Sequence, residues 1–239
     1  MLYCVGDIHG HKDQLDIALE RIEADGGPMA SVVFLGDYID RGPESRSVVQ
    51  TLFDGIAEGR DWVALKGNHD RYLVDFVADP TYRDPKMRAG YTWFDQRIGG
   101  NATLASYGVD MSNSRPLEDI HAEACAKVPE AHIAFIKGLP TLHVTEDLIC
   151  AHAGLRPGIP LEEQNEEDLL WIRDEFHNDP RDYGRLVVHG HTALDAPQHF
   201  GNRVDLDGGA GFGRPLTAAV FEGRDCWVLT DSGRVPLKP

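Results

Sequence analysis

Cysteine is scarce: the 239-residue chain has four, Cys4, Cys125, Cys150 and Cys226, with no close spacing among them. That excludes a CxxC zinc site and a disulfide-dense scaffold, and the four are expected to be buried free thiols. Positive charge is also short, with 23 Lys and Arg against 39 Asp and Glu and a formal net charge of −16. The resulting field repels nucleic acid and anionic membrane, so neither is expected as a partner. No apolar run approaches the ~18 residues of a membrane span. The chain starts directly in strand-like Leu2-Tyr3-Cys4-Val5, without the basic segment of a signal peptide, and a cytoplasmic protein is the default expectation. Internal repeats, low-complexity tracts and long linkers are lacking as well. What remains, 42% hydrophobic residues over this length, suits one domain spanning residues 1–239 that buries its own core.

Five short apolar or β-branched runs each end in Gly with Asp, Asn or His. They are 2–5 before Gly6-Asp7, 31–35 before Gly36-Asp37, 62–65 before Gly67-Asn68, 148–150 before His152, and 186–188 before Gly190-His191. Runs this short without alternation predict strands covered on both faces. Helical spacing lies between them: Leu15, Ala18, Leu19 and Ile22 precede a Gly26-Gly27-Pro28 stop, and Val48, Val49, Leu52, Phe53 and Ile56 share a face, with Pro43 expected in that helix's first turn. The alternation of strand, loop and helix predicts an α/β fold. Residues 79–140 break the rhythm and are expected to form a mostly helical insert. After His191 the segments 198–206, 216–222 and 226–230 alternate, which predicts a terminal antiparallel meander.

Strand ends and their loops converge on one crevice in α/β sheets, so side chains placed there are candidates for function. All five tips carry groups able to bind metal: Asp7 and His9, Asp37, Asn68, His152, and His191. Carboxylate, amide oxygen and imidazole without thiolate favour divalent Mn, Fe, Zn or Ni. Six ligands exceed what one tetrahedral ion needs. Two ions bridged by one carboxylate use the set economically, and two-metal sites serve in-line displacement at phosphorus.

The ordered blocks Gly6-Asp7-Ile8-His9-Gly10, Gly36-Asp37-Tyr38-Ile39-Asp40-Arg41-Gly42, Gly67-Asn68-His69-Asp70, His152-Ala153-Gly154 and Gly190-His191-Thr192 resemble the phosphoprotein phosphatase family of calcineurin-like metallophosphoesterases. Within it they are similar to the short bacterial and phage serine/threonine phosphatases. The resemblance covers nearly the whole chain and is weakest across the insert. It implies a four-layer α/β/β/α sandwich. It further implies that Asp7, His9 and Asp37 hold one metal and that Asp37, Asn68, His152 and His191 hold the other, with Asp37 bridging and Mn the expected ion. His69 would protonate the leaving group, oriented by Asp40, while Arg41 and Arg173 clamp phosphate oxygens. Direct attack without a phosphoenzyme is implied.

The expected substrate is a phosphoprotein or phosphopeptide. The alternative is a dinucleoside polyphosphate such as diadenosine tetraphosphate, ranked second because the sequence has no obvious basic cluster for a long polyphosphate. A non-catalytic metal- or phosphate-binding module ranks third. Asp70 stands where the family usually has Glu, and its expected task is to cap the following helix. His189 and His191 lie two apart and share a face if extended; the family match selects His191. The acidic run 162–168 is expected to be a solvated loop, and His11, His121, His132, His143, His177 and His199 fall in no motif.

Overall fold

In a computed structural model, which describes residues 1–112 and 114–239, strand β1 (Leu2–Val5) sends Tyr3 and Val5 into one core and Cys4 into another. Burial on both faces is why the run carries no charged residue. Strands β2 (Val32–Phe34) and β3 (Trp62–Ala64) continue the sheet in parallel, Cys4 opposite Val33 and Val33 opposite Val63. Helices α1 (Lys12–Gly26) and α2 (Ser45–Ala57) make the crossovers, burying Leu15, Ala18 and Ile22 from the first and Val48, Val49 and Leu52 from the second. Pro43 lies just ahead of α2, one residue before the cap Glu44, and not inside its first turn.

Helix α3 (Asn68–Ala78) follows β3 after a loop of three residues, 65–67. The insert that follows has an irregular first third, 79–99, and then α4 (Gly100–Ser106), α5 (Leu117–Lys127) and α6 (Glu130–Lys137). The second sheet is built from β4 (Leu142–Val144), β5 (Leu148–Ala151), β6 (Leu186–His189), β7 (Gln198–His199) and β8 (Arg203–Asp205), in the order β4-β5-β6-β8-β7. Helices α7 (Glu166–Trp171) and α8 (Asp174–His177) lie between β5 and β6 in sequence. Strands β9 (Ala218–Glu222), β10 (Asp225–Thr230) and β11 (Gly233–Leu237) return to the first sheet, whose order is β11-β10-β9-β1-β2-β3.

Three cores separate four layers. The sheets face each other across Cys4, Val33, Leu65, Cys150, Val188, Leu206 and Phe221. The outer face of the first sheet packs on α1, α2 and the insert, and that of the second on α7 and α8 through Leu169, Ile172 and Phe176. This is the expected α/β/β/α sandwich. Two expectations are corrected. Residues 198–206 do not open the meander, because β8 runs parallel to β6 in the second sheet, His189 opposite Asp205. Cys4, Cys150 and Cys226 are buried, whereas Cys125 is exposed on α5. Among the described residues no helix is long and apolar enough to cross a membrane.

Candidate active site

The parallel strands β1, β2, β3, β5, β6 and β8 all end on one edge of the sandwich, and the loops there are bent sharply. Among the described residues six non-glycine side chains sit at positive φ, and five are site residues: His9 (+48°), Asp37 (+53°), Asp40 (+74°), Arg41 (+67°) and His191 (+67°). Such conformations cost about 1–3 kcal/mol each and persist where the surroundings fix them. Asp70 supplies part of that fixing. Its carboxylate accepts the N–H groups of Asp37 (2.9 Å), Tyr38 (2.9 Å) and Gly67 (2.8 Å), joining the β2 tip to the start of α3. Glycine is obligatory at two approaches: a Cβ on Gly67 would collide with the Asp37 backbone and carboxylate, and one on Gly190 with the Asp7 carboxylate.

Two buried groups of donors share Asp37: His9 and His69 stand on one side of it, His152 and His191 on the other. His152 Nδ1 donates to the Leu35 carbonyl at 2.9 Å, which leaves a lone pair on Nε2. That lone pair faces Asn68 Oδ1 at 3.0 Å and Asp37 Oδ1 at 3.4 Å, an encounter of acceptors that a cation bound among them relieves. His9 is held likewise, with Nδ1 on the Ile39 carbonyl at 2.9 Å and Nε2 3.6 Å from Asp37 Oδ2. The Arg41 guanidinium also reaches that Nε2, at 2.5 Å. His191 Nε2 is buried with no partner. Asp7 accepts the His191 N–H at 3.1 Å, and burial together with Asp207, Asp37 and Asp205 pushes its carboxyl well above the usual range. Crowded buried carboxylates and inward-facing imidazole lone pairs fit divalent cations, whose charge reverses that penalty.

Beside the donors lies a buried pair. His69 Nδ1 donates to Asp40 Oδ2 at 2.7 Å, and its Nε2 faces the cleft, where Arg41 Nη2 approaches to 3.2 Å. Burial lowers the imidazole to about 3 and raises the Asp40 carboxyl to about 7, both in the direction that disfavours charge. Three donors into Asp40, from His69, Thr103 and the Trp93 indole N–H shared between both oxygens, oppose that rise and favour the carboxylate. Thus the proton at Nδ1 is fixed, and Nε2 is the atom that can exchange one with a bound substrate.

The structure brings Asp7, His9, Asp37, Asp40, Arg41, Asn68, His69, His152 and His191 together at this edge. Arg173 stands on the cleft wall, donating to Thr192 Oγ1 at 2.8 Å; burial lowers it, opposed by Asp37 and Asp7. His189 turns away: its Nδ1 donates to the Gly190 carbonyl at 3.0 Å and its Nε2 accepts from Arg203 at 3.2 Å.

Sequence reasoning missed Asp207, which lines the site from the β8 tip, because the parallel pairing of that strand was not foreseen. It also missed the cations that reach the cleft. The cleft, about 670 Å³, is lined by Lys86 and Arg88 from the insert and by Arg156, itself paired with Asp168 and Glu175, in addition to Arg41 and Arg173, with the carboxylates Asp37, Glu167 and Asp207 beside them. These residues are scattered in sequence, so no local cluster announces them. Aromatic rings accompany them: Phe212 is exposed, and Tyr91 and Trp171 are half-buried. The run 162–168 is not a free loop either: Asp168 is buried in α7, where Arg156 binds it bidentately.

A family profile described as calcineurin-like phosphoesterase matches residues 2–216. Proteins named bis(5'-nucleosyl)-tetraphosphatase PrpE (asymmetrical), from Bacillus thuringiensis (strain Al Hakam) and Bacillus cereus (strain 03BB102), are 25% identical over 240 residues, spanning 91% of this chain and 89% of the relative. A crystal structure provisionally assigned as a diadenosine tetraphosphatase superposes with a TM-score of 0.64 at 23% identity, over 99% of this chain and 93% of the other. A cold-active protein-tyrosine phosphatase of a psychrophile Shewanella superposes with a TM-score of 0.61 at 16% identity, over 99% and 80%. Both superpositions bear on the fold.

Proposed function

Because the chain belongs to the calcineurin-like phosphoesterase family, we propose that it is a metal-dependent hydrolase of dinucleoside polyphosphates. This reverses the ranking drawn from the sequence, which put protein phosphoserine and phosphothreonine first. The observation that carries it is the cleft: a long polyphosphate needs distributed positive charge and a nucleobase needs an aromatic face, and Lys86, Arg88, Tyr91 and Phe212 supply both beyond the metal-binding edge. The names of the relatives point the same way.

In this reading Asp7, His9 and Asp37 hold one divalent ion and Asp37, Asn68, His152 and His191 the other, with Mn the first candidate. When bound, the ions supply Lewis-acid charge at phosphorus and lower the pKa of the attacking water. The chain's own residues do the rest. Arg41 and Arg173 orient the non-bridging oxygens of the reacting phosphate as planar forks, and His69, held neutral by burial, would take up a second proton at Nε2 with the substrate and pass it to the departing oxygen, the Asp40 carboxylate offsetting the imidazolium charge. Asp40 holds the imidazole through Nδ1.

One observation favours phosphoprotein hydrolysis as a second reading. A buried acid as fully supported as His69 matters most for an alkoxide, a poorer leaving group than phosphate. A metal-supplemented assay of diadenosine tetraphosphate beside a phosphoserine peptide decides between them. We expect kcat/KM for the dinucleotide to exceed that for the peptide by more than about tenfold, 1.4 kcal/mol in transition-state binding. A tenfold preference for the peptide reinstates the phosphatase reading.

A further inference from the structure

The sequence blocks supply His69, its partner Asp40 and Arg41, but not the groups that hold Asp40. Asp40 is wholly buried and sits at φ +74°, a conformation that its own short side chain does not enforce. Its carboxylate is gripped from the insert. Trp93 Nε1 donates to both oxygens, Oδ1 at 2.9 Å and Oδ2 at 3.0 Å, and Thr103 Oγ1 lies 2.7 Å from Oδ1. The same Thr103 oxygen accepts the Asp40 backbone N–H at 2.8 Å, fixing main chain and side chain together.

A donor shared between both oxygens sets the rotation of the carboxylate plane, and with it the lone pair of Oδ2 that faces His69 Nδ1 at 2.7 Å. The indole is itself clamped. It packs on Phe76 with ring centroids 5.2 Å apart, and Gly100 lies so close that a Cβ there would come within 2.5 Å of the ring.

We infer that Trp93 is a positioning residue for the proposed acid, acting on His69 through Asp40, with Thr103 as its companion, so that the insert completes the proton-donating half of the site. The inference rests on reading His69 as the group that protonates the leaving oxygen.

Trp93→Phe keeps an aromatic side chain and deletes the donor. Loss of a hydrogen bond to a charged group should lower kcat by about ten- to a hundredfold on phenyl phosphate, with KM unchanged. On p-nitrophenyl phosphate, whose leaving group departs without a proton, the loss should be under about threefold. Equal losses on both esters, or no loss on either, overturn the inference. Thr103→Val, read against Thr103→Ser, should give the same leaving-group dependence, and it carries the test if the tryptophan variant does not fold.

A readout independent of turnover is the Trp93 indole N–H resonance, which should shift on Asp40→Asn; an unmoved resonance also refutes the contact. His69→Asn is the control for the underlying reading. If it loses equally on both esters, the acid assignment falls and the positioning inference falls with it. If it shows the selective loss and Trp93→Phe does not, only the inference falls.

Discussion

His189 and His191 differ in what their ring nitrogens face, although they share a strand end. Both nitrogens of His189 are engaged, by the Gly190 carbonyl and Arg203, on the far side of β6 from the donors. His191 Nδ1 lies 2.8 Å from Asn68 Oδ1 and its Nε2 has no partner. The reversal comes from the backbone: φ of +67° at His191 breaks the two-residue periodicity that would have put both rings on one face. His191→Ala should therefore lose one of two bound metals and nearly all activity, while His189→Ala keeps both and loses only stability. Native mass spectrometry of the Mn-loaded variants counts them; two metals on the His191 variant and one on the His189 variant would invert the assignment. Asp70 teaches a related lesson. Its cap at Gly67 was legible from its place at the start of α3, but its grip on Asp37 and Tyr38 comes from 33 and 32 residues away and left no local trace.

At the scale of elements, the strands with apolar runs and glycine ends were readable because burial on both faces leaves a compositional mark. Strand β8 was misread because a short alternating run looks alike whether its neighbour is parallel or antiparallel, and Asp207 was lost with it. The insert was readable only as helical, since its donors to Asp40 and its cations Lys86 and Arg88 acquire meaning from what they face. The turn 210–212 was likewise silent. It is a single 3₁₀ turn between Gly209 (φ +84°) and Gly213 (φ +81°), and it carries Phe212 58% exposed, with one face on the Arg41 guanidinium at 4.5 Å. Arg214 also approaches the ring, 5.9 Å from its centroid, and the exposed remainder of the ring offers a base a stacking surface, an interaction worth about 1–3 kcal/mol. Phe212→Ala should thus raise KM for diadenosine tetraphosphate at least about fivefold and leave p-nitrophenyl phosphate unaffected. Steady-state kinetics on the two substrates checks this, and an equal change in both would assign Phe212 to supporting Arg41 instead.

Across the whole molecule, an excess of 16 negative charges coexists with a cleft whose lining sets five cationic side chains against five carboxylates, so the acidic excess of the chain is not carried onto the cleft wall. Composition alone reads the first; only the fold reveals the second. The same separation of bulk from buried groups governs the acid response. His177, on α8, has a buried Nε2 with no partner, and burial, reinforced by Arg203, lowers its imidazole to about 4. The unfolded chain has an ordinary histidine near 6.5. Between those values the unfolded state binds more protons than the folded state, so this residue contributes stability that is complete above about pH 6.5 and lost as pH falls toward 4. Asp40 and Asp205, whose carboxyls burial raises, act in the opposite sense, gaining relative stability as acid is added. Total stability against pH therefore mixes opposed terms, and a substitution isolates one of them. Denaturant unfolding of His177→Gln, with Mn held constant, should show a shallower loss of stability than the parent between pH 6.5 and 4, and the two curves should run parallel above pH 7. Parallel curves throughout would mean that His177 titrates alike in both states, and that its ring nitrogen reaches water.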